Sequence, residues 1–310
     1  MQADQRHQLL LLHNLARRIK MPFIDLHTHS TASDGTFSPA ELIAEAKRAG
    51  LSALALTDHD TTNGLEEAMD AGRRLELEVI PGCELSVDCP KGQMHIVGLW
   101  LPVKPKILTE KLIYLRERRH SRNERIIQAL QGAGIDIDYQ DVKDLAGEAS
   151  IGRPHIARIL MDKGAVKDIQ QAFDIYIGPQ GKAYVPKDKL TPEVAIDILN
   201  REGATVILAH PFTLEISESQ LRRELVRLKE LGLHGLEAHY PEHTPGQTAL
   251  YLQLCREYDL LVSGGSDFHG SVKPDILLGR GRSNLSLPYD LVQVMKDRRQ
   301  QQGLWVTDRP

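Results

Sequence analysis

Apolar residues along this chain gather into short runs at 23–30, 51–57, 79–86, 93–101, 205–209, 235–238 and 260–264, most bounded by Gly, Pro or polar residues. Such runs predict strands, mostly buried on both faces. Helices are predicted between most of them. Ser38-Pro39-Ala40-Glu41 opens one, with Ser as N-cap, Pro at the first helical position and Glu returning to the cap, and Gly50 closes it. Thr191-Pro192 opens another, closed by Gly203.

Strand and helix alternating on this scale imply a parallel sheet, open or closed into a barrel. Polar residues with chemistry in their side chains favour the barrel. They stand at the ends of strands spread along the whole chain, and only closure brings the first and last strands together on one face. The expected fold is therefore α/β, a distorted (β/α)7 barrel. Residues 105–188 break the rhythm. They read as a small inserted helical subdomain over the barrel mouth, so that 21–104 and 189–310 form the barrel. Residues 1–20 read as a leader with no assigned role.

Composition narrows the class. The chain has 310 residues, 41% hydrophobic and 26% charged, with a formal net charge of -4. That suits a globular enzyme and excludes a surface that grips long nucleic acid along its whole length. No apolar run approaches membrane-spanning length. Cys83, Cys89 and Cys255 lack zinc-type spacing and read as small hydrophobes in a reducing cytoplasm.

The candidate chemistry is metal chemistry. Six histidines and three carboxylates recur in short motifs: His27-Thr28-His29, Asp34, His59 within Thr57-Asp58-His59-Asp60, Glu84, His95, His210 before Pro211, and Asp267-Phe268-His269. Residues two apart on a strand share a face, so His27 pairs with His29 and Asp267 with His269. A lone buried His is usually a satisfied core residue. Two alternating pairs at opposite ends of the chain, with further His and acids between them, fit that reading poorly. Nine ligands exceed the needs of one ion and suit two or three. Imidazole and carboxylate without thiolate suit Mn²⁺, Fe²⁺ or Zn²⁺. Asp25, Asp58 and Asp60 are expected to orient the imidazoles.

These motifs together resemble the polymerase and histidinol phosphatase (PHP) family of metal hydrolases, from about Phe23 to Asn284. The resemblance implies a PHP-type barrel and a trinuclear centre, most naturally manganese. His27, His29, Glu84 and Asp267 would hold one metal. Glu84 would bridge to a second, completed by His95 and His210, and Asp34, His59 and His269 would hold the third. Ions so close together generate hydroxide near neutral pH and neutralise phosphate oxygens. A metal-bound hydroxide is then the nucleophile, with no protein general acid assigned.

Residues outside this set bear on substrate. Gly152-Arg153-Pro154-His155 places a guanidinium beside a helix start, a setting that suits phosphate. Gly181-Lys182-Ala183-Tyr184 is a small turn able to deliver Lys182 to an anion. His155 and His243 are further candidates at the mouth. The charge run 116–125 reads mainly as a solvated helix face, with a nucleic-acid-facing helix as the alternative. The features of Arg153 and Lys182 resemble one branch of the family, the 3′,5′-nucleoside bisphosphate phosphatases, which includes a 5′-to-3′ exoribonuclease. The resemblance implies a nucleotide or short RNA substrate; separately, no membrane and no obligate protein partner are expected. Alternatives are a phosphatase of another small monoester such as histidinol phosphate, or a non-catalytic accessory domain.

Overall fold

The computed structural model describes residues 23–146, 152–186 and 188–306. The expected leader at 1–20, and Ser150 and Ile151 before the Gly-Arg-Pro-His motif, lie outside the described residues. Strands β1 (Phe23–Asp25), β2 (Leu51–Leu56), β3 (Glu78–Val87), β4 (Met94–Leu99), β5 (Thr205–Leu208), β6 (Gly235–His239), β7 (Leu261–Gly264) and the two-residue β8 (Leu287–Pro288) form one sheet, ordered β7-β6-β5-β4-β3-β2-β1-β8. The first seven are the expected strands; β8 is a short addition, antiparallel against the start of β1.

The sheet closes nearly into a barrel beyond the regular ladder. The chain after β1 meets the chain after β7 through Leu26 N–H to Gly264 O (3.2 Å), Asp267 N–H to His27 O (2.9 Å) and His29 N–H to Phe268 O (2.9 Å). Gly265 makes this seam possible. A Cβ there would lie 2.3 Å from the His27 Cβ and 2.5 Å from its backbone nitrogen.

One departure from a purely parallel barrel decides the site. β4 runs antiparallel to both β3 and β5 and follows β3 without an intervening helix. Its beginning therefore lies at the same mouth as the ends of its neighbours. His95, second residue of β4, joins residues that follow the ends of β2 and β5.

Alternation along the strands matches burial on both faces. Ile24, Ala53, Ala55, Ile80, Val97, Leu99 and Ile207 fill one apolar cluster inside the sheet. Their neighbours Leu54 and Leu56 pack outward against α1 (Pro39–Ala49) and α2 (Leu65–Leu75). Ile96, Val206 and Leu208 pack against α7 (Pro192–Arg201), α8 (Glu218–Glu230) and α9 (Pro245–Glu257). The Ser38 capping box and Thr191 cap form as expected, and Gly50 takes φ 81°.

Between β4 and β5 the chain forms α3 (Lys106–Gly132), α4 (Tyr139–Ala146), α5 (Arg153–Asp162) and α6 (Ile169–Ala172), which runs into a π-helical turn at Phe173–Ile177. Among the described residues of 105–188 there is no strand. Ile126, Ile127, Leu130, Val142, Ile156, Leu160 and Ile177 form a separate apolar cluster there, while Leu108 at the start of α3 packs into the barrel's cluster. The seam yields a test. Gly265→Ala should lower the unfolding free energy by about 1–3 kcal/mol in urea titrations, because the added methyl meets backbone that has no room to move. An unchanged midpoint would mean that the seam does not hold the barrel closed.

Candidate metal centre

Glu84 lies on β3, on the same face as Ile80, so it points into the barrel. It is fully buried. Five ring nitrogens from four segments surround its two oxygens. His27 Nε2, His29 Nε2 and His59 Nδ1 approach Oε2 at 3.0, 3.3 and 3.1 Å. His95 Nδ1 and His210 Nε2 approach Oε1 at 2.9 and 3.0 Å. Asp267 Oδ1 stands on the other side, 3.0 Å from His29 Nε2, 3.6 Å from His27 Nε2 and 3.5 Å from His269 Nδ1. Asp34, more than half exposed, lies 3.3 Å from His269 Nε2 and 3.8 Å from His29 Nδ1. All nine candidate ligands thus stand within one connected cluster.

The donors fit cations better than one another. Ligand atoms of His27, His29, Glu84 and Asp267 lie within 4.8 Å of each other, as do those of His29, Asp34, His59 and His269, and those of His59, Glu84 and His95. Both ring nitrogens of His29 and Nδ1 of His59 are buried with no hydrogen bond, close to carboxylates but misaligned with them. Buried polar atoms left this way are costly unless something else binds them. The clusters are of the kind that hold divalent metal ions.

Electrostatics follow. Burial alone would raise the Glu84 carboxyl, but His59, His27, His95 and His210 hold it well below the usual carboxylate range. Burial raises Asp267 too, and His29 and His27 outweigh it. Burial lowers His29, yet Asp267 and Glu84 bring it up to about 9. His59 goes the other way, to about 4, through burial and the neighbouring rings of His29 and His95.

The carboxylate that orients an imidazole is Glu237, on β6. Its Oε1 lies 3.1 Å from His27 Nδ1, and its Oε2 accepts the His210 backbone N–H at 2.7 Å. This turns His27 Nε2 toward Glu84. Sequence reasoning missed it, although an acid between the outward-packed Leu236 and Ala238 was a signal. Asp25 and Asp58 do a different job from the expected one. Asp25 accepts from Ser266 (N–H 2.8 Å, Oγ–H 2.5 Å) and the Gly279 N–H (2.7 Å). Asp58 accepts from Ser30 N–H and Oγ–H and Ser33 Oγ–H at 2.6–2.7 Å. They fix the loops that carry ligands. Asp60 accepts from Ser86 N–H (3.0 Å) and faces Arg119 of α3 (3.4 Å). Tyr240 and Lys273 both donate to Asp267 Oδ2, at 2.7 and 2.6 Å. Asp60, His210 and Asp267 hold positive φ, strain concentrated where side chains must converge.

The residues expected to meet substrate lie elsewhere. Arg153 begins α5, donates through Nη1 to Ile177 O (3.2 Å) and stacks on Phe173. Lys182 is exposed, in a turn whose Gly181 abuts Tyr176 so closely that a Cβ would lie 2.3 Å from its carbonyl. His155 Nδ1 accepts the Gly152 N–H (3.2 Å), closing the start of α5. His243 is enclosed by Tyr240, Phe212 and Tyr251, with Nδ1 donating to Ala238 O (3.1 Å). A cavity of about 510 Å³ beside Trp100, Glu78 and Trp305 opens at the start of β3, roughly 20 Å from Glu84 at about 3.3 Å per residue, away from this chemistry.

Two measurements test the cluster. Metal binding near pH 7.5 should release protons, since His29, raised to about 9, is protonated in the metal-free protein and must lose its proton to bind. Calorimetry in buffers of different ionisation heat reads this, and affinity should fall as pH drops. Zero proton release would contradict the assignment. Glu237→Ala should weaken metal binding by about 10- to 100-fold while the fold persists. Wild-type affinity would show that His27 needs no such support.

Comparison with known proteins follows from this geometry. The PHP domain family profile matches residues 25–141. The 5′-3′ exoribonuclease of Haemophilus influenzae is 36% identical over 245 residues, covering 79% of this chain and 89% of that protein. The 3′,5′-nucleoside bisphosphate phosphatase of Chromobacterium violaceum is 33% identical over 250 residues, covering 80% and 88%. A solved structure assigned as a metal-dependent phosphoesterase, from Bifidobacterium adolescentis, superposes with a TM-score of 0.72 at 29% identity, covering 89% of this chain and 96% of that one. On these matches the chain belongs to the PHP family of metal-dependent phosphoesterases.

Proposed function

We propose that the chain hydrolyses the 3′-phosphate of 3′,5′-bisphosphonucleotides, giving a 5′-mononucleotide and phosphate, and that the same chemistry removes 5′-mononucleotides from short 5′-phosphorylated RNA in the 5′-to-3′ direction. The observation that carries this reading is the pairing of two features. Eight candidate ligands converge on Glu84, and the helical segment carries a separate pair of cations, Arg153 and Lys182. The relatives named for a bisphosphate phosphatase and an exoribonuclease support the same substrate class.

The proposed ligands sort around Glu84. His27, His29 and Asp267 gather at one side with Oε2, His95 and His210 at Oε1, and Asp34, His59 and His269 beyond. Two or three ions are proposed, manganese first, with iron or zinc as substitutes. When bound, such ions activate water as a nucleophile near neutral pH and neutralise charge on the reacting phosphate. The protein's own residues prepare for this. Glu237 holds His27 in one orientation. Tyr240 and Lys273 satisfy the outer oxygen of Asp267, so its inner oxygen stays turned to the imidazoles.

The helical segment 105–188 is proposed to roof the mouth, with Arg119 reaching Asp60 beside His59. Arg153 and Lys182 would hold the 5′-phosphate, and His155 keeps Nε2 for a substrate oxygen. His243, held by aromatic rings and by its bond to Ala238 O, is given no direct role toward the substrate. One chemistry then serves both substrates. Water adds to the phosphorus on the 3′ oxygen, the bond to that oxygen breaks, and the oxygen leaves with a proton. Only what else the phosphorus carries differs.

Manganese-loaded protein should convert adenosine 3′,5′-bisphosphate to AMP and phosphate, and should release 5′-mononucleotides from 5′-phosphorylated RNA. A chelator should abolish both. Arg153→Ala should lose about 30-fold or more in bisphosphate turnover efficiency, and far less with a simple monoester. Absence of product from both substrates, with metal confirmed in the protein, would refute the reading in favour of another phosphate monoester.

A further inference from the structure

Arg122 occupies an unusual position for a residue in a run of charges. It lies on α3, one turn beyond Arg119, yet only 4% of its surface is exposed. Neighbours on the same run behave as a solvated face: Arg118 pairs with Asp188, and His120 with Glu124, all near half exposed. Arg122 instead turns into the helical unit. Its Nε donates to Val185 O at 2.9 Å, and its buried Nη2 has no hydrogen-bond partner.

The charges around it are positive. Burial first, and then the nearby guanidiniums of Arg153, Arg119 and Arg125, bring Arg122 down to about 10, while Tyr184 opposes them. An enclosed guanidinium beside another, with a bare N–H, is costly unless an anion completes it. The backbone prepares such a place. Arg122 and Arg153 are each hooked by one carbonyl of the same stretch, Val185 O and Ile177 O, which leaves their remaining N–H groups for something else. Between those carbonyls runs the turn with Lys182, held by Lys182 N–H to Ile175 O (3.0 Å) and Ala183 N–H to Tyr176 O (2.7 Å). Arg122 of α3 and Arg153 of α5 are thus anchored to one wall, the stretch 177–185, which also carries the exposed Lys182. Arg119, which reaches Asp60 beside His59, marks its end nearer the metal centre. Arg122 lies about 4.5 Å further along the helix axis.

We infer that Arg122 is a specificity-determining residue, whose planar fork joins that of Arg153 to receive the substrate phosphate that does not react. This deepens the bisphosphate reading and rests on it. Two forks from two helices distinguish a terminal phosphate from a hydroxyl at the same place, because a hydroxyl leaves both cations unanswered. The ligand class is a phosphate monoester on the 5′ side of a nucleotide, whether the nucleotide is free or the first residue of an RNA.

The test compares wild type, Arg122→Met and Arg122→Lys, all manganese-loaded, on adenosine 3′,5′-bisphosphate and adenosine 3′-monophosphate, with calorimetric binding of 5′-AMP. Arg122→Met should lose about 100-fold in kcat/KM for the bisphosphate, chiefly through KM. It should lose much less for the 3′-monophosphate, and 5′-AMP binding should disappear. Arg122→Lys, which keeps the charge but not the fork, should recover part of each. Equal losses on both substrates, or unchanged 5′-AMP affinity, would overturn the inference and leave Arg122 as a strut for Val185. Should Arg122→Met fail to fold, the Lys variant decides by the same ratio. Inactivity of wild type on the bisphosphate would instead refute the parent reading, and the calorimetric arm would still decide whether Arg122 holds a phosphate.

Discussion

A single carboxylate sealed from water sets the terms for this molecule. Glu84 has no exposed surface and five imidazole nitrogens within 3.3 Å. A carboxylate there, alone, would be costly enough to stay protonated. Surrounded by imidazoles it stays ionised, and the imidazoles in turn keep more donor atoms than their carboxylates can satisfy. That imbalance is what makes the cluster a receptor for cations rather than a set of internal salt bridges.

Backbone closure makes the convergence possible. Around the mouth, Thr57 N–H bonds Thr28 O, Glu84 N–H bonds Thr57 O, Ala209 N–H bonds His95 O, and Asp267 N–H bonds His27 O. Each bond ties a ligand-bearing segment to the next. The ring is completed by the Gly265 seam, where no side chain fits. Positive φ at His210 and Asp267 is the local cost of turning those side chains inward, about 1–3 kcal/mol each, offset by a barrel that has no free edge at this point.

Much of this was legible in the sequence, for definable reasons. The pairs His27 with His29 and Asp267 with His269 follow from the two-residue period of extended chain. The barrel follows from strand ends that must meet. Other features depend on geometry that local pattern does not carry. Short apolar runs look alike in parallel and antiparallel strands, so the reversal of β4, which brings His95 to the mouth, was invisible. Glu237 reads as one acid in a short run until alternation with Leu236 and Ala238 is set against burial on both faces. Asp25 and Asp58 stand close to ligands in sequence, yet they bind serine hydroxyls and backbone amides of other segments, partners that sequence spacing does not show. In the charge run of α3, solvation was the right expectation for Arg118 and the wrong one for Arg122, which only tertiary packing buries.

In the proposed reading, the helical segment supplies cations for the substrate and the barrel supplies acids and imidazoles for the metals. Substrate choice in this account lies in the distance between those two groups, while reactivity lies at Glu84. The central claim is that Glu84 is the shared ligand of more than one ion. The most direct test is a crystal structure of the manganese-loaded protein with anomalous scattering recorded for the metal, together with metal content per chain in solution. The account predicts two or three manganese peaks within bonding distance of the nine donors, at least two of them sharing Glu84. A folded chain that binds one ion or none, with Glu84 outside its coordination, would contradict it.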